Sequence, residues 1–402
     1  MLRHVRSVLV RAPHVRLHQL RRLDDRIAAH LDGLVVAGDC GASRCSAALE
    51  RPGAGEVFAA AALALERRDP ATLDRLLALA AALPEAQLGL LSAFGWVSAE
   101  SLKGVVGPLL ACGDPLRREL GLGACRLHAA DPGPALSTAL RDSAPGVRVA
   151  ALRTAGALGR VDLLDAARDA NDDADPQVRH HAAITAVLLG DRGPMLRELA
   201  ETAVRDDADG GAVLALALHA SALGAARQWV QALAPGSAAA PGRRLVRACG
   251  MLGDTHFIPW LIGLMDDERL ARLAGEAFSV ITGADLAALD LERKPPQDFE
   301  SGPGNDPEED DVALDEDDSL PWPDRSRVQR WWQTRADTMP AGRRLFLGRP
   351  PSVEQAVWVL REGFQRQRVL AAQWSCLLAP GTSLFTTAAP AWRQQRRLAT
   401  RN

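Results

Sequence analysis

Asp175-Pro176-Gln177-Val178-Arg179 opens, and Leu188-Leu189-Gly190-Asp191 closes, the stretch whose reading decides the fold. An upstream echo runs from Gly146-Val147-Arg148 to Ala157-Leu158-Gly159, about 31 residues earlier. In both copies the arginine precedes the glycine by eleven residues, an offset repeated from Arg272 to Gly283 and, with histidine for glycine, from Arg117 to His128. Blurred copies end at Phe94-Gly95, Ala222-Leu223-Gly224 and Met251-Leu252-Gly253. A repeat of this length, built from two helical stretches, is the pattern of a helical solenoid.

Each unit has a physical reading. A Pro or Asp turn (Ala144-Pro145, Asp175-Pro176) starts the first helix, the arginine sits in its first turn, and Gly ends it as a C-cap. Leu163-Leu164-Ala167 and Met195-Leu196-Leu199 then place apolar residues on one face of a second helix. Neither helix hides its apolar stripe alone, so stacked units must bury a continuous core. The shared place of Arg148 and Arg179 predicts structural pairing with aspartates near the turns, where pairs such as Asp172-Asp173 and Asp206-Asp207 cap the following helices.

Composition agrees. The chain has 402 residues, longer than one compact core usually holds, and is 47% hydrophobic but only 4% aromatic, with no Tyr. Ala and Leu favour closely packed helices. A net charge of -3 provides no global field for polyanions, so nucleic acid is not expected as a partner. The Arg- and His-rich start, Met1 to Leu23, contains no apolar stretch longer than Val8 to Val10, too short for a secretion signal. Val369 to Trp392 is broken by Pro380-Gly381 and does not read as a membrane span. Six cysteines without a C-x-x-C pair predict reduced thiols and a cytoplasmic setting.

Chemical motifs are missing from the sequence. There is no phosphate loop, nucleophile elbow or H-E-x-x-H helix, and Leu34-Val35-Val36 is the best strand candidate. His180-His181 point about 100° apart on a helix and do not share a metal easily. His14 and His18 have the spacing of one helix face, read as a solvated basic face, and His128 reads as a helix-end residue rather than a zinc partner of Cys125. No catalytic residue, cofactor or metal is expected.

From Gly55 to Asp290 the pattern resembles the HEAT family, through Asp175-Pro176-Gln177-Val178-Arg179 and the exit at Leu189-Gly190-Asp191. The resemblance implies a curved array presenting a concave surface to a protein. Asp209 to Gly236 is its weakest stretch. Beyond it, Arg293 to Asp318 is rich in Pro, Gly and acid, with nine Asp or Glu between Asp306 and Asp318, the composition of a linker or of an acidic docking strip. Six of the nine Trp follow within the last 81 positions. Trp322, Trp331, Trp358 and Trp374 can serve as the core of a small helical cap, or exposed Trp and Arg can form a binding hot spot.

Gly33-Leu34, Gly55-Glu56-Val57-Phe58, Ala274-Gly275-Glu276-Ala277-Phe278, Leu320-Pro321-Trp322-Pro323 and Ala389-Pro390-Ala391-Trp392-Arg393-Gln394 together resemble an uncharacterised bacterial family of HEAT-like repeat proteins. Its members are often encoded beside type VI secretion spike and adaptor components, which implies an accessory or cargo-handling role with spike or effector components as partners. The expectation is therefore an all-α chain, a HEAT-like α-solenoid of about seven to eight helical pairs with a small helical C-terminal segment. Four parts are expected: a cap at 1–54, the array at 55–290, an acidic linker at 291–319 and a Trp/Arg-rich segment at 320–402. Function is assigned to a non-catalytic scaffold whose partner-binding candidates are Trp322, Trp331, Trp332, Arg361, Arg366, Arg368, Trp392 and Arg393. The alternative is a groove-based enzyme of the HEAT-like class, bilin lyase-like or DNA-modifying, betrayed by a deep pocket with converging polar groups.

Overall fold

The computed structural model describes residues 1–205, 211–234, 242–297 and 317–400. Helix makes up 69% of the structure, and the only ladder among the described residues pairs Glu292–Arg293 with Trp322–Pro323. The fold is all-helical. No described helix is long and apolar enough to cross a membrane. Of the acidic run from Asp306, only Asp317 and Asp318 fall within the described residues, as does neither member of Asp206-Asp207. Leu34-Val35-Val36, the best strand candidate, closes the helix Leu17–Val36. His14 precedes that helix, so it does not share a helix face with His18.

Two compact units emerge where the sequence suggested four parts. The first comprises Met1–Asp191, Leu360–Gln365 and Ser375–Asn402; the second comprises Arg192–Val359 and Arg366–Trp374. The segment from 320 onward is thus distributed between them and does not stand apart as a cap.

In the first unit the repeat is visible in atomic detail. Helices Pro115–His128, Pro145–Leu158 and Pro176–Leu189 all begin with Pro at the first turn, where the missing N–H costs nothing. Asp114 and Asp175 accept backbone N–H groups as N-caps. The middle helix packs on both neighbours. Small residues permit this closeness: the Thr185 hydroxyl donates to Leu152 O at 2.9 Å, and Thr154 reaches Leu122 O at 3.2 Å in the same way. Val147, Ala151 and Ala155 are buried with Leu122, Leu136 and Leu163.

The recurrent arginines form a ladder. Arg148 pairs with Asp173 at 2.7 Å and donates to the Asp142 and Ser143 carbonyls at 2.8 and 3.2 Å. Arg179 donates to the Asp173 and Ala174 carbonyls at 2.7 and 3.0 Å. Upstream the role falls to Arg118, which pairs with Asp142 and donates to Cys112 and Gly113, whereas Arg117 turns to Asp74. In that upstream copy the sequence register was therefore one residue off, while the copies at Arg148 and Arg179 stand as read. Each arginine of the ladder is the third residue after the starting Pro, and the left-handed residue that ends the helix is Ala129, not His128. Arg272 shares the eleven-residue offset but is only the second residue of its helix, Ala271–Thr282; it donates to Asp317 O and stacks 5.0 Å from Trp322.

The second unit buries helices Arg243–Leu252, Ile258–Gly263 and Ala271–Thr282 around Leu252, Ile258, Leu273 and Phe278. Its helix-ending glycines also receive a later part of the chain. Leu345 N donates to Gly253 O at 2.7 Å, and Leu347 N and Gly348 N donate to Val280 O and Ile281 O at 2.8 and 2.9 Å. These bonds satisfy carbonyls that a helix end leaves without a partner. Gly253 sits at φ +75°, and a Cβ there would run into Leu345 O. Gly253→Ala is expected to lower stability by about 2–3 kcal/mol in chemical denaturation, combining left-handed strain with a clash. Gly224, expected as another helix end, lies instead near the start of the helix Leu223–Ala232 with open space around it. Gly224→Ala should therefore be neutral or mildly stabilising.

Candidate binding cleft

The first unit contains a cleft of about 610 Å³. Its floor starts with Trp96, the last residue of helix Pro84–Trp96, which packs edge-to-face on Phe58 at 5.7 Å and on Trp392 at 4.9 Å. Trp392 belongs to the final helix, Ala391–Ala399. That helix is held from a great sequence distance. Buried Asp24 accepts the Ala391 N–H at 2.7 Å and pairs with Arg6, while Arg6 also donates to the Ala388 and Ala389 carbonyls. A carboxylate at a helix N-terminus meets both the orphan donor and the positive end of the dipole. Gln394 turns back to Thr387 O and Ala389 O. The stretch Ala389-Pro390-Ala391-Trp392-Arg393-Gln394 is thus a docking element.

Arg393 fixes the other end of this contact. Its guanidinium donates to the carbonyls of Gly95, Trp96 and Val97 at 2.8, 3.2 and 2.8 Å, so a residue almost 300 positions away caps helix Pro84–Trp96. Burial pulls its pKa down to about 10, with Arg396, Arg397 and Arg6 pushing the same way. His128, the last residue of its helix, donates from Nε2 to Phe94 O at 2.7 Å. Burial and then Arg393 lower its pKa, which keeps the ring neutral at pH 7.

The walls carry opposite charges. Asp32 and Glu66 line one part of the cleft, and Arg396 and Arg397 line another. Glu66 is raised above the usual carboxylate range by partial burial and by the charge of Asp32, with no arginine acting on it. Arg397 reaches the Ser383 hydroxyl at 3.2 Å and stands over Phe385. Asp32, Glu66 and Arg396 make no ion pair with any described residue. The cleft therefore combines tryptophan rings, carboxylates and guanidinium groups in one lining.

No family model, no curated protein and no solved structure matches this chain. What the cleft and its surroundings do must be argued from the residues themselves.

The eight residues singled out in the sequence divide between the units. Trp392 and Arg393 come together in the cleft. Arg361 is exposed and donates to Leu398 O at 2.9 Å. In the second unit Trp322 and Trp332 are buried, Trp331 is half-buried edge-on to Phe278, Arg366 pairs with Glu276 at 2.6 Å, and Arg368 is wholly buried, its pKa lowered to about 10 by that burial. Burial takes Trp322, Trp332 and Arg368 out of any surface hot spot; they serve the core, as Trp374 does, while Trp358 is half exposed. Sequence reasoning missed Trp96, Asp32, Glu66 and Arg396. Of these, Trp96 adjoins the repeat end at Phe94-Gly95, but the two acids carry no local signal. The six cysteines form no disulfide and four are buried; no group of three or more metal-ligating side chains occurs among the described residues.

Proposed function

We propose that the chain is a non-catalytic protein-binding scaffold, built in each unit from HEAT-like helical pairs of an α-solenoid, and that a segment of a partner docks in the Trp96/Trp392 cleft. The carrying observation is the cleft itself, which a half-buried tryptophan lines together with charges of opposite sign, Asp32, Glu66 and Arg396. Clefts of this size with an apolar floor and a few placed polar groups are where proteins recognise ligands. Tryptophan and arginine dominate interface energetics, and both are present here. The ladder of Arg118, Arg148 and Arg179 supports the repeat reading, since each arginine serves the carbonyl six residues before it at the start of three successive helices of this kind. An accessory, cytoplasmic role beside type VI secretion spike or effector components rests on the sequence resemblance alone.

Because Arg393 and Trp392 are integral to the first unit, point substitution tests the cleft without removing part of that fold. The full tagged chain, captured from its own cells and analysed by mass spectrometry, is expected to retain a partner that Trp392→Ala loses by at least about tenfold, the effect of removing a central aromatic anchor. Circular dichroism would confirm that the variant is folded. Equal retention by folded wild type and variant would remove the cleft from the interface.

A further inference from the structure

The unpaired charges in the cleft define more than a docking place. Asp32 and Glu66 line the same cleft, and Glu66 is raised above the ordinary carboxylate range first by partial burial and then by the charge of Asp32. No described cation answers them. At the other wall Arg396 is exposed and answers no acid. Arg393 is not available to a ligand, because its donors already serve three backbone carbonyls. Trp392 lines the same cleft, edge-on to Trp96, with Arg21 over its ring at 5.6 Å.

A ligand that satisfies all three features has a cation, an apolar body and an anion. We propose that the cleft takes an extended segment of a partner polypeptide that places a Lys or Arg on Asp32 and Glu66, an apolar side chain on Trp392, and an Asp, Glu or terminal carboxylate on Arg396. This rests on the protein-binding reading and specifies the partner's chemistry. A polyanion such as nucleic acid would meet the acidic wall and be repelled. A simple cation would leave Arg396 and the tryptophan unused. An extended chain advances about 3.3–3.6 Å per residue, so varying the spacing between the two charges by single residues scans their separation in steps of that size.

The test uses the full chain and fluorescein-labelled, end-capped pentapeptides in which Lys and Glu are separated by one, two or three residues including Leu. Fluorescence anisotropy is expected to find at least one spacing bound in the range of tens of micromolar, with affinity falling as NaCl rises. Asp32→Asn with Glu66→Gln should weaken that peptide at least about tenfold while leaving a version with norleucine for Lys unchanged. Arg396→Gln should do the same, judged against Gln for Glu in the peptide. All three positions are exposed, so these variants test recognition without touching the core. If the neutral peptide binds as well as the charged one, or the double variant binds unchanged, the charge assignment is overturned and the cleft remains a docking place. Free lysine or arginine binding as tightly as the best peptide overturns the assignment to a polypeptide segment. If wild type binds no peptide of any spacing or charge, both the assignment and the docking place fall.

Discussion

Arg344→Met is expected to destabilise the second unit by about 4 kcal/mol, an exceptional loss for one half-buried side chain. The reason is the set of acceptors it serves. Arg344 donates to Leu218 O, His219 O and Ser221 O at 3.0, 3.1 and 3.1 Å, which are the carbonyls at the C-terminal end of helix Ala212–Ala220. It also stands 5.5 Å from the centre of the Trp374 ring. Burial lowers its pKa to about 10, partly countered by Asp254, so the cation persists at neutral pH. A helix end concentrates unsatisfied carbonyls and negative dipole at one place, and a guanidinium fork answers several at once. Methionine keeps much of the packing volume while leaving those acceptors without a donor, at about 1–3 kcal/mol each before water relieves some of them. Urea denaturation of wild type and variant, followed by circular dichroism, measures the difference. A loss below about 1 kcal/mol would mean that water replaces the arginine and that the capping has little energetic weight. Arg393→Met should behave likewise in the first unit, since it also serves three carbonyls.

That arrangement also explains which parts of the protein could be read from its sequence. The all-helical class was legible because it depends on local signals: Pro at the helix start, the arginine three residues on, and a left-handed glycine at the end, as at Gly159, Gly190, Gly253 and Gly283. Asp324 is a local device of the same kind, its carboxylate accepting the Arg327 N–H at the start of Arg325–Gln333. The caps supplied by Arg344, Arg393 and Asp24 were not legible, because each joins a helix end to a residue far away in sequence and nothing in the local pattern marks either partner. The tryptophan-rich C-terminus looked like a separate element for the same reason. Its backbone N–H groups at Leu345, Leu347 and Leu384 have their acceptors on earlier helices, at Gly253, Val280 and Ala157. Trp392 and Arg393, which line the cleft, drew notice in the sequence because their residue types are conspicuous. Asp32 and Glu66 look like any solvated helix face until the cleft brings them to one wall.

Between pH 7 and pH 5 the second unit is expected to lose about 2 kcal/mol of stability through His219 alone. This histidine is buried, stacks on Trp374 with ring centres 4.3 Å apart, and lies 3.1 Å through Nε2 from Met251 O. Burial, and secondarily Arg344, lowers its pKa to about 3, against the contrary effects of Met251 O and Gln373. The sign follows from proton uptake. In the unfolded chain the imidazole takes up a proton near its ordinary pKa of about 6.5, whereas the folded ring stays neutral until the pH approaches about 3, so acid favours unfolding. The stability is present in full above about pH 6.5 and is lost progressively down to about pH 3, at up to about 1.4 kcal/mol per pH unit. His219→Phe keeps the stack on Trp374 and removes the titration. Urea denaturation of both proteins at pH 7 and pH 5 should show the stability difference between wild type and variant shifting by about 2 kcal/mol toward the variant as the pH falls. A difference independent of pH would show that the ring gains a proton in the folded state nearly as readily as in the unfolded one, and that its burial beside Arg344 is relieved by water.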